Sequence, residues 1–280
     1  MGWDKMRIAV VAPGRPISEA NAARVSAFMA LTYPQHDVVF HPQCYLSDGH
    51  FAGSDDARAA AFLEVANDPQ YDAIWFARGG YGSNRILSRV MPNLGPAARD
   101  KAYLGFSDMG FLLGALYAAG IGRPIHAAMP ITLGSNDPGE SLGWALAWLI
   151  DGDRNALEPS LNGEGKGRPA AAFNLAILDA LIGTPYLPDL TDHVLMIEEV
   201  SEPLYRIDRM LFTVAHATQL KGIAGIRLGH VTHIQENDPP FAETAEQIAR
   251  RWCDEMGVPF LGRAEIGHIA LNRVVPFGVA

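Results

Sequence analysis

Short apolar runs recur along this chain, each closed by glycine, proline or charge, and the stretches between them carry apolar residues at helical spacing. Ile8, Ala9, Val10, Val11 and Ala12 run into Pro13-Gly14 and predict a first parallel strand buried on both faces. Ser18 is placed to cap a helix carrying Ala22, Val25, Phe28 and Met29. Residues 37–41 predict a second strand, the alanine-rich residues 55–66 a helix, and residues 71–77 a third strand that ends in Arg78-Gly79-Gly80-Tyr81-Gly82. Residues 102–106 predict a fourth strand, followed by a helix over 111–117. Strands alternating with helices imply right-handed crossovers, a parallel sheet, and functional loops at the carboxyl ends of the strands.

The pattern changes after a helix over 144–150. Residues 151–169 are rich in Gly, Asn, Pro and charge, offer little to pack, and predict a linker between an α/β domain over 1–150 and a second over 170–280. In the second, Val194-Leu195-Met196-Ile197 is an apolar run, and Ile207, Met210, Leu211, Val214 and Ala215 mark a helix. Residues 222–226 predict a strand and 241–256 a helix with Ala245, Ile248, Ala249 and Trp252 inward. The chain closes with Phe260-Leu261-Gly262 and an expected strand pair around Ile269 and Val274-Val275. The fold class is therefore α/β: a flavodoxin- or Rossmann-like parallel-sheet domain followed by a smaller, β-rich α/β domain.

At 280 residues and 49% hydrophobic composition the chain can bury a substantial core. Its formal charge of -9 argues against a nucleic-acid or anionic-membrane partner and favours a small molecule or peptide. Two distant cysteines, Cys44 and Cys253, suggest neither a disulfide framework nor a zinc site, and no metal or cofactor is expected. The apolar run ending at Pro13 is too short for a signal segment or membrane span, so the expected location is the cytoplasm.

Candidate chemistry centres on Gly105-Phe106-Ser107-Asp108-Met109-Gly110, where one serine falls on a turn between a strand and a helix, beside amide donors able to hold an oxyanion. The spacing departs from G-x-S-x-G because the second glycine comes one residue late. The competing reading is a plain helix cap. A serine needs a base and a group to orient it. Among nine histidines, His268 stands on a tight turn after Ile266-Gly267, and Glu198-Glu199 end the apolar run at 194–197. Glu198 and Glu199 could also cap the next helix, and His268 could be a turn histidine. The glycine loop at 79–82 lacks the lysine and spacing of a phosphate-binding loop.

Together these motifs resemble the LD-carboxypeptidase family of muramoyl-tetrapeptide carboxypeptidases, which includes the microcin C immunity peptidases. The resemblance is carried by Arg78-Gly79-Gly80-Tyr81-Gly82, Gly105-Phe106-Ser107-Asp108, Asn174-Leu175, and Gly183-Thr184-Pro185. It continues through Ile197-Glu198-Glu199-Val200, the stretch from Glu202 to Leu211, Ile266-Gly267-His268 and Pro276-Phe277-Gly278. It implies a cytoplasmic serine peptidase, commonly a homodimer, with Ser107, Glu198 and His268 as catalytic triad and the backbone amides of Gly80 and Asp108 as oxyanion donors. Motif alignment selects Glu198 over Glu199, since successive strand residues face opposite ways. Tyr81 and Arg206 are the expected substrate-binding residues, with Glu202, Tyr205, Asp208 and Arg209 nearby. Ala172-Phe173 and His126-Ala127-Ala128 depart from the family's glycines at those places and bear on substrate detail more than on the reaction. The implied activity is release of terminal D-alanine from murein tetrapeptides. The rivals are an immunity peptidase acting on a peptidyl-nucleotide conjugate and a catalytically silent binding module.

Overall fold

The computed structural model describes residues 5–134, 139–162 and 167–279. Along the first half run β1 (Arg7–Val11), α1 (Glu19–Thr32), β2 (Asp37–Phe40), α2 (Asp55–Asn67) and β3 (Ala73–Phe76). They are followed by α3 (Leu87–Val90), β4 (Ala102–Gly105), α4 (Gly110–Ala118), β5 (Arg123–His126) and α5 (Glu140–Leu146). Strands β1 to β5 are parallel in the order β2-β1-β3-β4-β5, the flavodoxin-like arrangement, whose crevice opens at the carboxyl ends of β1 and β3. Helices cover both faces, which is why β3 and β4 are buried at every position and read as unbroken apolar runs. Ser18 and Ser54 cap α1 and α2 by accepting from the amides of Asn21 and Ala57.

The second half builds β6 (Ala170–Asn174), α6 (Leu175–Leu181), β7 (Val194–Val200), α7 (Leu204–His216), β8 (Gly225–Thr232), α8 (Ala245–Met256) and β9 (Phe260–Arg263). These four strands form a parallel sheet in sequence order. The last strand, β10 (Val275–Pro276), returns to the first sheet and pairs antiparallel with β5. Both buried clusters draw on both sheets: Phe111 and Leu112 pack with Phe173 and Leu195, and Val10 with Met196 and Ile266. Each of the two clusters therefore spans both halves of the chain.

Several expectations shift. The strand expected over 222–226 starts at Gly225 and runs to Thr232, because Gly222 sits at φ +93 in a turn whose carbonyl accepts from Asp192. The helix expected from 241 starts at Ala245, where Thr244 and Gln247 form a reciprocal capping box. No strand forms at Ile269, where 268–271 is a turn. The segment expected to be a linker with little to pack buries Ala156, Leu157 and Leu161, and Leu157 bridges to Val274. Residues 163–166 of that expected linker, and Met1 to Asp4 of the amino-terminal reading, lie outside the described residues. Among the described residues no helix is long and apolar enough to cross a membrane.

Candidate active site

Ser107 stands one residue, Phe106, beyond the end of β4 and has φ +59, a left-handed conformation that costs a non-glycine residue roughly 1–3 kcal/mol. Its neighbours make the turn possible. A Cβ on Gly105 would stand 2.8 Å from the Phe76 ring and 3.0 Å from Met109, and a Cβ on Gly79 would stand 3.1 Å from Ser107 Oγ. The serine makes no capping hydrogen bond to the following helix; its Oγ lies instead 3.2 Å from His268 Nε2.

His268 reaches this point because the turn before it presses onto β7 and β8. Gly267, at φ +132, and Gly229 both lack the Cβ that would strike Glu198 Cβ, at 3.3 and 3.0 Å, and the Ile266 carbonyl accepts from the His230 amide at 2.8 Å. Glu198 Oε2 then meets His268 Nδ1 at 2.8 Å. The β7–β8 register shifts between Ile197 and Glu199, so Glu198 falls on an irregularity of the kind that re-aims a side chain. Glu199 is turned elsewhere: its carboxylate accepts from Asn174 Nδ2 and the amides of Ala176 and Val200 at 2.7–2.9 Å. Neither carboxylate caps α7, whose amino-terminal cap is Pro203.

Burial pushes the His268 pKa down, but the hydrogen bond and charge of Glu198, with the charge of Glu199, outweigh it, and the net shift is upward. Burial lifts Glu199 to about 6 against the three donors that pull it down. The Phe106 ring lies between two imidazoles, 4.9 Å from His268 and 5.5 Å from His126. His126 Nε2 contacts Asn272 Oδ1 at 3.1 Å, and the same oxygen accepts from the Gly267 amide at 3.0 Å. An acceptor already facing an amide N–H fixes His126 as the donor, so Asn272 ties β5 to the turn that carries His268.

The Asp108 carboxylate accepts from the amides of Gly82 at 3.3 Å and Ser83 at 3.0 Å, and its carbonyl from Ser83 Oγ at 2.6 Å, locking the glycine loop to the serine turn. Within the glycine loop it is Gly79 that lies against the serine. The missing Cβ of Gly80 makes room for the aliphatic stem of Arg15, which any Cβ there would strike. A cavity of about 680 Å³ opens over Ser107 and His268, lined also by Arg15, Arg78, Phe106, Met129, Ile131 and Ser201. The expected substrate residues Tyr81 and Arg206 are absent from that lining. Tyr81 packs against His50 and Phe51, and Arg206 pairs with Glu202 at 2.8 Å. Among the described residues no three His, Cys, Asp or Glu side chains are grouped as metal ligands.

Both halves of the chain match one peptidase family. Residues 8–127 match the model of the LD-carboxypeptidase N-terminal domain and residues 170–280 that of the C-terminal domain. A protein assigned as a carboxypeptidase in Synechocystis sp. is 31% identical over 87% of this chain and 80% of its own length. The chain belongs to the LD-carboxypeptidase family. It is a serine-type carboxypeptidase, a hydrolase. The murein tetrapeptide carboxypeptidase of Pseudomonas aeruginosa is another LD-carboxypeptidase relative, 27% identical over 97% of this chain and 91% of its own. Two solved structures share the fold: the muramoyltetrapeptide carboxypeptidase of Oxalobacter formigenes, with TM-score 0.77 at 22% identity over 98% of this chain and 93% of that one, and the microcin C7 self-immunity protein MccF, with TM-score 0.78 at 16% identity over 99% and 92%.

Four residues that shape this site have no role assigned by the motifs, although Arg78 and His126 stand within them. Asn272 and His126 stand far apart in sequence and meet only in the fold. Arg15 follows Pro13-Gly14 at the end of β1, and Arg78 precedes the glycine pair. Their shared signal is position at the carboxyl ends of β1 and β3, where such sheets bind ligands.

Proposed function

We propose that this protein is a serine LD-carboxypeptidase that removes the terminal D-alanine from murein tetrapeptides. The observation that carries the reading is the line Ser107 Oγ, His268 Nε2, His268 Nδ1, Glu198 Oε2, with contacts of 3.2 and 2.8 Å. Ser107 Oγ attacks the scissile carbonyl carbon while its proton passes to His268 Nε2. Glu198 holds the imidazole in the tautomer that leaves Nε2 free to accept and stabilises the imidazolium that results. The tetrahedral oxygen accepts from the amides of Gly80 and Asp108; a lost donor of this kind costs roughly 3 kcal/mol of barrier. Collapse of the intermediate breaks the C–N bond, His268 returns its proton to the leaving amine, and D-alanine departs from an acyl-enzyme. Water, deprotonated by the same imidazole, then releases the shortened stem.

The murein substrate is supported by the P. aeruginosa relative, whose name carries that activity across 97% of this chain. The immunity-peptidase reading has only likeness of fold behind it, and the silent binding module has the triad spacing against it. In this reading residues 1–150 carry the nucleophile, residues 170–280 carry the acid and the base, and the protein works in the cytoplasm as a homodimer. Light scattering of the purified protein tests the dimer.

The experiment for the activity is incubation of the protein with a tetrapeptide muropeptide, reading D-alanine release. Release that disappears in Ser107→Ala is expected. No release by the wild type would end the substrate reading, and undiminished release by Ser107→Ala would end the mechanism.

A further inference from the structure

An enzyme that removes one residue from a chain end must recognise something that only the end possesses, and at this end that group is a free carboxylate. It stands one α-carbon past the scissile nitrogen, so its site must lie close to the nucleophile. The whole chain has a formal charge of -9, yet among the described residues the titratable side chains lining the cavity over Ser107 are Arg15, Arg78 and His268, with no carboxylate. Arg78 immediately precedes Gly79, whose backbone lies against Ser107 Oγ. Its guanidinium makes one long contact, Nη1 to the Pro16 carbonyl at 3.4 Å, and its Nε is buried with no partner. Burial, then the charge of Arg15, lowers its pKa. Arg15 approaches from the end of β1 and lays its aliphatic stem over Gly80, a close approach that any side chain at 80 would block. Two like charges held together without a neutralising acid form a receptor for an anion, and the planar guanidinium matches the two oxygens of a carboxylate.

We infer that Arg78 and Arg15 hold the terminal carboxylate of the residue being released, and so restrict this cleft to peptides with a free carboxyl end. The inference rests on the carboxypeptidase reading of the site and names two residues that bind substrate within it. Anions along the body of the peptide are a separate matter, because only the terminal group keeps a constant distance from the bond that breaks.

The test compares a tetrapeptide muropeptide ending in free D-alanine with the same peptide ending in D-alaninamide, using wild type, Arg15→Gln, Arg78→Gln and Arg78→Lys. Wild type should favour the free acid by about 10- to 100-fold in kcat/KM. Each glutamine variant should lose most of that preference through KM, the free acid losing at least about 10-fold more kcat/KM than the amide, and Arg78→Lys should retain part of it. Equal use of acid and amide by wild type would overturn the inference. So would arginine variants that slow both peptides by one factor, the mark of a structural role. Titration of Ser107→Ala with both peptides gives a readout independent of turnover: preference for the acid that Arg15→Gln abolishes supports the site, and equal binding or none overturns it. Absent D-alanine release from a protein whose Ser107 still reacts with a fluorophosphonate, and whose Ser107→Ala form still prefers the acid, would defeat the murein substrate alone.

Discussion

Glu198 and Glu199 are consecutive on β7, yet one carboxylate meets His268 Nδ1 at 2.8 Å and the other turns to Asn174 and the amide of Ala176. Alternation along a strand separates their work. Glu198→Gln keeps the shape but puts an amide against the imidazole and disturbs its tautomer, so kcat should fall by about 10²–10⁴-fold with little change in KM. Glu199→Gln should lower kcat far less. Steady-state kinetics of the two variants checks the assignment, and a larger loss from Glu199→Gln would reverse it.

Glu199 has its own signature in stability. Its pKa is lifted by burial from 4.5 to about 6, so the folded state binds the proton more tightly than the unfolded chain. A raised carboxyl pKa stabilises the fold in acid and removes that contribution as pH rises through the interval from 4.5 to about 6, by about 2 kcal/mol. Urea unfolding should therefore show wild type gaining on Glu199→Gln by about that amount between pH 7 and pH 4.5. A gap independent of pH would contradict the assignment.

The raised pKa of His268 sets the acid limb of activity. Neutral imidazole is the base, so kcat/KM should decline as pH falls through a value above the ordinary 6.5. The sign for stability is opposite: the charged ring paired with Glu198 contributes fully below 6.5, and that contribution is lost as pH rises through the folded-state value. Glu198→Gln removes the two largest upward causes and should move the acid limb to lower pH. A pH–rate profile of the residual activity measures the shift, and an unmoved limb would separate His268 from Glu198.

Much of this was legible in the sequence because strands buried on both faces are unbroken apolar runs and their helices carry explicit caps. β1, β3 and β4 could be read directly, and with them the placement of Ser107. β5 was hidden: its four residues contain Pro124 and begin with an exposed Arg123. β6 was hidden because Ala170-Ala171-Ala172 has no strong strand preference, and only packing between β7 and the first sheet makes it one. The packed segment around Leu157 was misread because its contacts, with Val274 and Glu265, lie more than a hundred residues away. The site divides along the same line. Ser107, Glu198 and His268 stand in local motifs, whereas the bond from Asn272 to His126 spans 146 residues and has no local trace.

Gly79→Ala is a steric probe of the nucleophile. Its φ lies outside the left-handed range, so alanine is compatible with the backbone, but the new methyl would stand 3.1 Å from both Cβ and Oγ of Ser107. The neighbour must give by a few tenths of an ångström, in the residue whose position matters most. Loss of about 10²-fold in kcat is expected, with a stability change within about 1 kcal/mol. Thermal unfolding and kinetics on one preparation decide it. A large loss of stability with kcat per folded molecule preserved would remove Gly79 from the argument.

Asn272→Ala tests whether the histidine turn is held from the first sheet. The substitution deletes the oxygen that accepts from the Gly267 amide at 3.0 Å and from His126 Nε2 at 3.1 Å, leaving two buried donors unpaired. Unsatisfied buried groups cost about 1–3 kcal/mol each, so destabilisation of about 2–6 kcal/mol is expected for the pair. Stability alone does not establish positioning. If Asn272 fixes His268 against Ser107, the folded variant should react more slowly with a fluorophosphonate and show lower kcat with KM unchanged, because the reagent and the peptide need the same activated hydroxyl. Asn272→Asp, which keeps an acceptor in place, should restore part of the rate. Normal labelling by folded Asn272→Ala would mean that the turn keeps its shape without the bridge to β5.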